Sequence, residues 1–259
     1  MAHITIHPIP TLKDNYVWAL IDQHQRHVLI VDPGEAAPVI HYITQHHLLP
    51  VGILVTHHHW DHTNGIVELS NLYSVPVYGP AKETIRGVTH KVQEKDEIII
   101  DHFPLTLQVV DIPGHTLGHI AYYAQDSVFC GDTLFAAGCG RLFEGTPEML
   151  YASLQKIAAL PDTTKIYCAH EYTLANLRFA EAVEPDTQKI YERLEHVKHL
   201  RAKDLPTLPC DLAEEKATNP FLRCDVPEII TSAEKHDGSS LKNPVAVFTS
   251  LRRWKDSFV

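Results

Sequence analysis

Long apolar runs are missing from this chain of 259 residues. No window approaches the roughly 18 uninterrupted apolar residues that a membrane-spanning helix needs. The first residues, Met1-Ala2-His3-Ile4-Thr5, carry no basic segment followed by an apolar stretch, so no secretory leader is expected. Positive charge is scarce beside negative. There are 22 Lys and Arg against 32 Asp and Glu, a net charge of −10 with His neutral. That balance disfavours nucleic acid and anionic membranes as partners. Cysteine is sparse too: Cys130, Cys139, Cys168, Cys210 and Cys224 are odd in number and include no CxxC pair. Reduced thiols in a cytoplasmic protein are expected rather than a disulfide framework. Internal repeats and low-complexity segments are absent, and no Ser or Cys stands in a recognisable nucleophile context. An apolar fraction of 44% is ordinary for a globular chain. Histidine is the residue in excess, at 19, and context must separate the functional ones from the rest.

The first two-thirds alternates strand-like and helix-like segments. Strands are expected at 16–21, 28–31, 52–55, 98–100, 105–112, 120–123, 127–130 and 165–168. Helices are expected at 36–47, about 64–72 and 147–160, the last with Pro147 in its first turn. This is an α/β layered pattern in which helices cover sheets. Beyond about Leu174 the pattern becomes helical, with helices at 174–183 and 187–202. Pro206, Pro209, Pro220 and Pro227 break up the remainder, and 232–243 reads as loop. The expected division is a catalytic domain over 1–172 and a smaller, mostly helical domain over 173–259.

Four candidate metal ligands follow the 52–55 strand directly in His57-His58-His59-Trp60-Asp61-His62-Thr63. In an extended turn residues two apart point the same way, so His57 and His59 can meet one ion while Asp61 and His62 face another. His115, Asp132 and His170 each stand just beyond the end of another expected strand, where layered α/β proteins build their sites. Gly114 and Gly131 allow the sharp turns involved. Seven N/O ligands exceed one tetrahedral ion and suit two. His57, His59 and His115 are assigned to one, Asp61, His62 and His170 to the other, with Asp132 between them. Without a thiolate the site suits zinc, with iron or manganese as alternatives. His58 and Trp60 point away and read as packing or support, and His119 reads equally as support or core. His46, His47, His196 and His199 read as solvated helix residues.

These segments together resemble the metallo-β-lactamase superfamily. A closer resemblance, to the glyoxalase II (hydroxyacylglutathione hydrolase) family, runs through Leu12–Tyr16, Val31–Gly34, Gly138–Thr146, Cys168–Thr173, Asn219–Arg223 and Arg252–Lys255. It implies an αββα sandwich with a binuclear site at one edge and a helical C-terminal domain completing the substrate pocket. It also implies hydrolysis of S-(2-hydroxyacyl)glutathione thioesters by a hydroxide held between the metals, with Asp61 and Asp132 as catalytic residues and a monomeric chain. Arg141, Phe143, Tyr172, Arg252 and Lys255 match the family's glutathione-binding positions. Phe143 departs from the Tyr that many members carry there, which removes a hydroxyl contact, and Arg141 stands where Lys is common. A glutathione persulfide dioxygenase or another hydrolase of the superfamily is the alternative. A catalytically silent metal-binding protein is the reading from outside the enzyme class.

Overall fold

Strands and helices alternate along most of the chain, as the hydrophobic periodicity leads one to expect. The structure is a computed structural model that describes residues 4–22, 24 and 26–258; Met1-Ala2-His3, read above for a leader, lie outside them. The elements run β1 (Ile4–Thr11), β2 (Asn15–Asp22), β3 (His27–Val31), α1 (Ala36–Gln45), β4 (Leu49–Leu54), α2 (Trp60–Thr63) and α3 (Ile66–Tyr73). Then come β5 (Val77–Pro80), β6 (His90–Val92), β7 (Glu97–Ile99), β8 (Thr106–Asp111), β9 (Ile120–Ala124) and β10 (Ser127–Gly131). After these follow β11 (Leu134–Phe135), β12 (Gly138–Cys139), α4 (Pro147–Ala158), β13 (Lys165–Cys168), α5 (Thr173–Val183) and α6 (Gln188–Arg201). The chain ends with β14 (Cys210–Asp211), α7 (Leu212–Thr218), a 3-10 turn (Pro220–Leu222), α8 (Pro227–Asp237) and α9 (Pro244–Ser257). Two compact units result: the chain up to Asp111 with Thr116–Gly131, and Ile112–His115 with the chain from Asp132.

In the first unit β1 to β6 form one sheet in sequence order. It is antiparallel through β3 and parallel from β3 to β6. Every residue of β2 is buried, so both faces of the sheet are covered. Val17, Ala19 and Ile21, two apart, pack with Val39 and Ile43 of α1 and Ile66 and Leu69 of α3. Fully burying each of the valine, leucine and isoleucine side chains contributes about 1.5–3 kcal/mol. A second run, β7 to β10, is an antiparallel meander. Tyr122 of β9 donates its hydroxyl to the Val55 carbonyl at 2.7 Å, tying that meander to the end of β4.

The second unit holds the β11–β12 hairpin, the antiparallel pair β13–β14 and helices α4 to α9. Leu177, Ala180, Ile190, Leu194 and Val197 of α5 and α6 close over Ala137 of the hairpin.

Two expectations are corrected. Trp60–Thr63, expected as part of an extended turn, is the short helix α2, and the helix expected at about 64–72 follows as α3 from Ile66; Gly65, whose N–H goes to the Pro33 carbonyl, separates the two. The segment 232–243, expected as loop, begins as the second half of α8, which ends only at Gly238 (φ 74°). Its polar residues are the exposed side of an amphipathic helix seated on Ile229 and Ala233.

Candidate active site

Each candidate ligand follows a strand end, and each unit positions its own set. In the first unit β4 ends at Leu54, and His57 lies three residues on, fully buried. Its Nε2 faces Nδ1 of His59 at 3.1 Å. The expected extended turn holds as far as His59 (ψ 145°); Asp61 and His62 then sit on α2. His62 Nε2 lies 3.5 Å from Asp61 Oδ2, and Asn15 donates to that oxygen at 3.0 Å.

Asp32, which the sequence does not single out as a site residue, is buried beneath this loop. Its carboxylate accepts the Thr56 N–H at 2.7 Å, the Thr56 hydroxyl at 2.6 Å and His62 Nδ1 at 3.1 Å. A carboxylate accepts, so Nδ1 carries the His62 proton and Nε2 keeps its lone pair. Asp32, His57 and His62 come close enough together to hold an ion. Both Asp32 oxygens are already engaged, which makes it an orienting group rather than a ligand. His119 stacks on His57 with ring centroids 4.5 Å apart, so the residue that read as support or core is both. His58 pairs with the buried Glu83 at 3.1 Å, and Thr116 donates to the same carboxylate at 2.5 Å.

In the second unit Asp132 follows β10, and its two oxygens serve different imidazoles. Oδ2 lies 3.4 Å from His115 Nε2 and Oδ1 lies 3.3 Å from His170 Nε2. His115 Nδ1 donates to the Arg141 carbonyl at 2.8 Å, which fixes the tautomer and leaves Nε2 facing the carboxylate. Tyr172 stacks on the His170 ring at 4.7 Å and 4°. Gly114 takes φ 149°, a value a residue with Cβ rarely adopts, in the turn that delivers His115. The donor set fits a metal: imidazoles, of which the buried His62 and His115 have their outer nitrogens spoken for, together with carboxylates and no thiolate.

A cavity of ≈390 Å³ opens beside these residues within the second unit, a size suited to a small organic ligand. It is lined by His115 and Asp132 and by all five residues read as substrate contacts: Arg141, Phe143, Tyr172, Arg252 and Lys255. Phe135, Cys139 and Asn176, which the sequence did not single out, line it too. Arg252 is only 4% exposed, and its fork is committed to the protein. Nη1 donates to the Cys139 carbonyl at 2.9 Å and Nη2 to Asp256 at 3.0 Å. Lys255 sits among Phe179, Phe258 and the two arginines. Burial first, then Arg252 and Arg141, bring its ammonium down to about 8. Burial pushes the Cys139 thiol up to about 11, against the pull of Arg252, so it is no thiolate at neutral pH.

A layered α/β fold with His/Asp loops at strand ends, suited to a metal centre, is that of the metallo-β-lactamase superfamily. The superfamily's model matches residues 13–170, and the model described as the hydroxyacylglutathione hydrolase C-terminus matches 171–258. Proteins named hydroxyacylglutathione hydrolase from Nitrosomonas eutropha and Alkalilimnicola ehrlichii are each 52% identical to this chain. The first match covers 98% of this chain and 99% of the relative, the second 96% and 97%. The crystal structure of the BLEG-1 B3 metallo-β-lactamase shares the fold, with a TM-score of 0.63 and 22% identity over 85% of this chain and 99% of that one. The chain belongs to the hydroxyacylglutathione hydrolase family of that superfamily.

Proposed function

We propose that this enzyme hydrolyses S-(2-hydroxyacyl)glutathione thioesters, chiefly S-D-lactoylglutathione, to D-lactate and glutathione, the second step of methylglyoxal detoxification. One observation carries the reading. His115 and Asp132, with metal-ligand chemistry, open onto the same cavity as Arg141 and Lys255, whose charges suit the carboxylates of glutathione.

His57, His59 and His115 would hold one divalent cation and Asp61, His62 and His170 a second, with Asp132 shared. Zinc suits these donors best, and iron or manganese are accepted by the same set. When bound, the cations supply an activated water at neutral pH and polarise the thioester carbonyl. The chain's own residues do the positioning. Asp32 holds the proton on His62 Nδ1 and the Arg141 carbonyl holds that on His115 Nδ1, so both imidazoles keep one orientation. Asp61, held by Asn15, is placed to orient water or accept its proton. Lys255 and Arg141 take the substrate's carboxylates, and Tyr172 and Phe143 flank the chain of glutathione. The leaving thiol has an ordinary pKa of about 8.5, so it departs as thiolate without a dedicated acid.

On this reading 1–172 forms the catalytic domain and 173–259 the substrate-binding domain. The protein acts as a cytoplasmic monomer without nucleic-acid or membrane partners. Among the described residues no helix is long and apolar enough to cross a membrane. Asp132→Asn tests the site. We expect wild-type folding, loss of metal and a fall in thioester turnover of at least about 100-fold. An Asp132→Asn protein with full activity and full metal content contradicts the assignment.

A further inference from the structure

The β11–β12 hairpin joins Asp132 to Arg141, so its turn lies between two parts of the site. Leu134 pairs with Cys139 and Phe135 with Gly138, leaving Ala136-Ala137 as the turn. Ala137 takes φ 55°, a left-handed conformation that a Cβ disfavours. Its N–H is instead captured from outside the hairpin, by Glu215 Oε2 at 2.8 Å. Asn219 Nδ2 donates to the Gly138 carbonyl at 2.9 Å, to the Phe135 carbonyl at 3.2 Å and to Glu215 Oε2 at 2.9 Å. Asn176 donates to the Ala136 carbonyl at 3.0 Å. Glu215 and Asn219 are fully buried, and Arg193, itself buried, pairs with Glu215.

A buried ion pair is a costly way to stabilise a turn of two alanines, since an apolar contact serves stability as well. What the polar clamp adds is a fixed position for the turn backbone. That position passes to both arms. On the outgoing arm Gly140 donates to the Thr133 carbonyl at 3.1 Å, so close to the Asp132 backbone that a Cβ on Gly140 would fall 1.9 Å from the Asp132 carbonyl oxygen. One residue on, the Arg141 carbonyl holds His115 Nδ1.

We propose that Asn219, together with Glu215, is a positioning residue for the reaction. By fixing the Ala136–Ala137 turn it keeps Asp132, and through the Arg141 carbonyl the His115 ring, in one arrangement. The inference rests on the reading of His115 and Asp132 as metal ligands.

The test uses the full chain with Asn219→Ala, and Asn219→Ser as a milder variant that retains one donor and is expected to fold if the first does not. Ile229→Ala, fully buried in α8 and outside the site, serves as a control that only loosens packing. Zinc affinity is measured by chelator competition well below each melting temperature, alongside kcat and KM for S-D-lactoylglutathione. We expect Asn219→Ala to lose about 10–100-fold in zinc affinity, the range found when groups that orient ligands are removed. Its kcat should fall at limiting zinc, with Asn219→Ser between it and wild type. Ile229→Ala should melt lower yet keep wild-type zinc affinity and kcat. If wild type takes up zinc and Asn219→Ala matches it in affinity and kcat while melting lower, the residue is structural only and the proposal falls. If wild type itself takes up no zinc, the metal reading falls and carries the proposal with it.

Discussion

Asp32 controls more of the site than a turn residue ordinarily would. One carboxylate receives the Thr56 amide, the Thr56 hydroxyl and His62 Nδ1, so it sets both the path of the chain into the His-rich loop and one imidazole's tautomer. Asp32→Asn replaces an acceptor with a donor and cannot satisfy all three. Metal affinity should fall about 10–100-fold, read by chelator competition on folded protein; unchanged affinity would remove Asp32 from the site. Lys255 ties the cavity to pH. Burial and its arginine neighbours lower its pKa to about 8, so it carries charge below that pH and loses it above. If it receives a substrate carboxylate, kcat/KM declines as pH rises through about 8. In kcat the decline moves to higher pH, because bound carboxylate favours the ammonium. Lys255→Arg, charged throughout, should lose the decline in kcat/KM; a wild-type profile level across this pH range contradicts the role. The linkage to stability runs the opposite way. The folded state binds fewer protons than the unfolded between about 8 and the ordinary 10.5, so this group adds stability as pH rises through that window.

Helix α9 shows how an element serves the site from a distance. It begins with Pro244 at its first position and Asn243 as cap, whose side chain accepts the Ala246 N–H at 2.9 Å, and it delivers Arg252 about two turns later and Lys255 about three. Asn243→Ala removes the cap and should cost about 1 kcal/mol of stability, seen as a lower melting temperature. Turnover by the folded protein should be unchanged; a large loss of activity would show that the cap sets more than the helix start. Elements of this kind also mark what the sequence reveals. Strands such as β2 and β3 and helix α1 were legible because apolar periodicity is their cause. β1 was not read, since Pro8 and Pro10 interrupt its pattern; it lies at the sheet edge, where proline is tolerated. The short β11–β12 hairpin escaped for a different reason. Its turn has no Asn-Gly or Gly-Gly signal and is shaped by Glu215, Asn219 and Asn176, residues 40 to 84 positions away. The strand-end histidines and Asp132 were legible from local context, whereas Asp32, Glu83 and the committed fork of Arg252 depend on which distant backbone comes near.

For the whole molecule, two units each hold a set of candidate ligands within their own cores. The first holds His57, His59, Asp61 and His62 on and beside a short helix, with the His62 tautomer set by Asp32. The second holds His115 and Asp132 in the lining of the cavity that carries Arg141, Tyr172 and Lys255, with His170 against Asp132. Family membership over the full chain and this donor set converge on metal-dependent thioester hydrolysis. The most direct test is turnover of S-D-lactoylglutathione by the purified chain before chelation, after it, and after zinc is restored. We predict rapid hydrolysis that chelation abolishes and zinc returns. Hydrolysis that persists after the metal is removed, or no hydrolysis with the metal in place, would contradict the central claim.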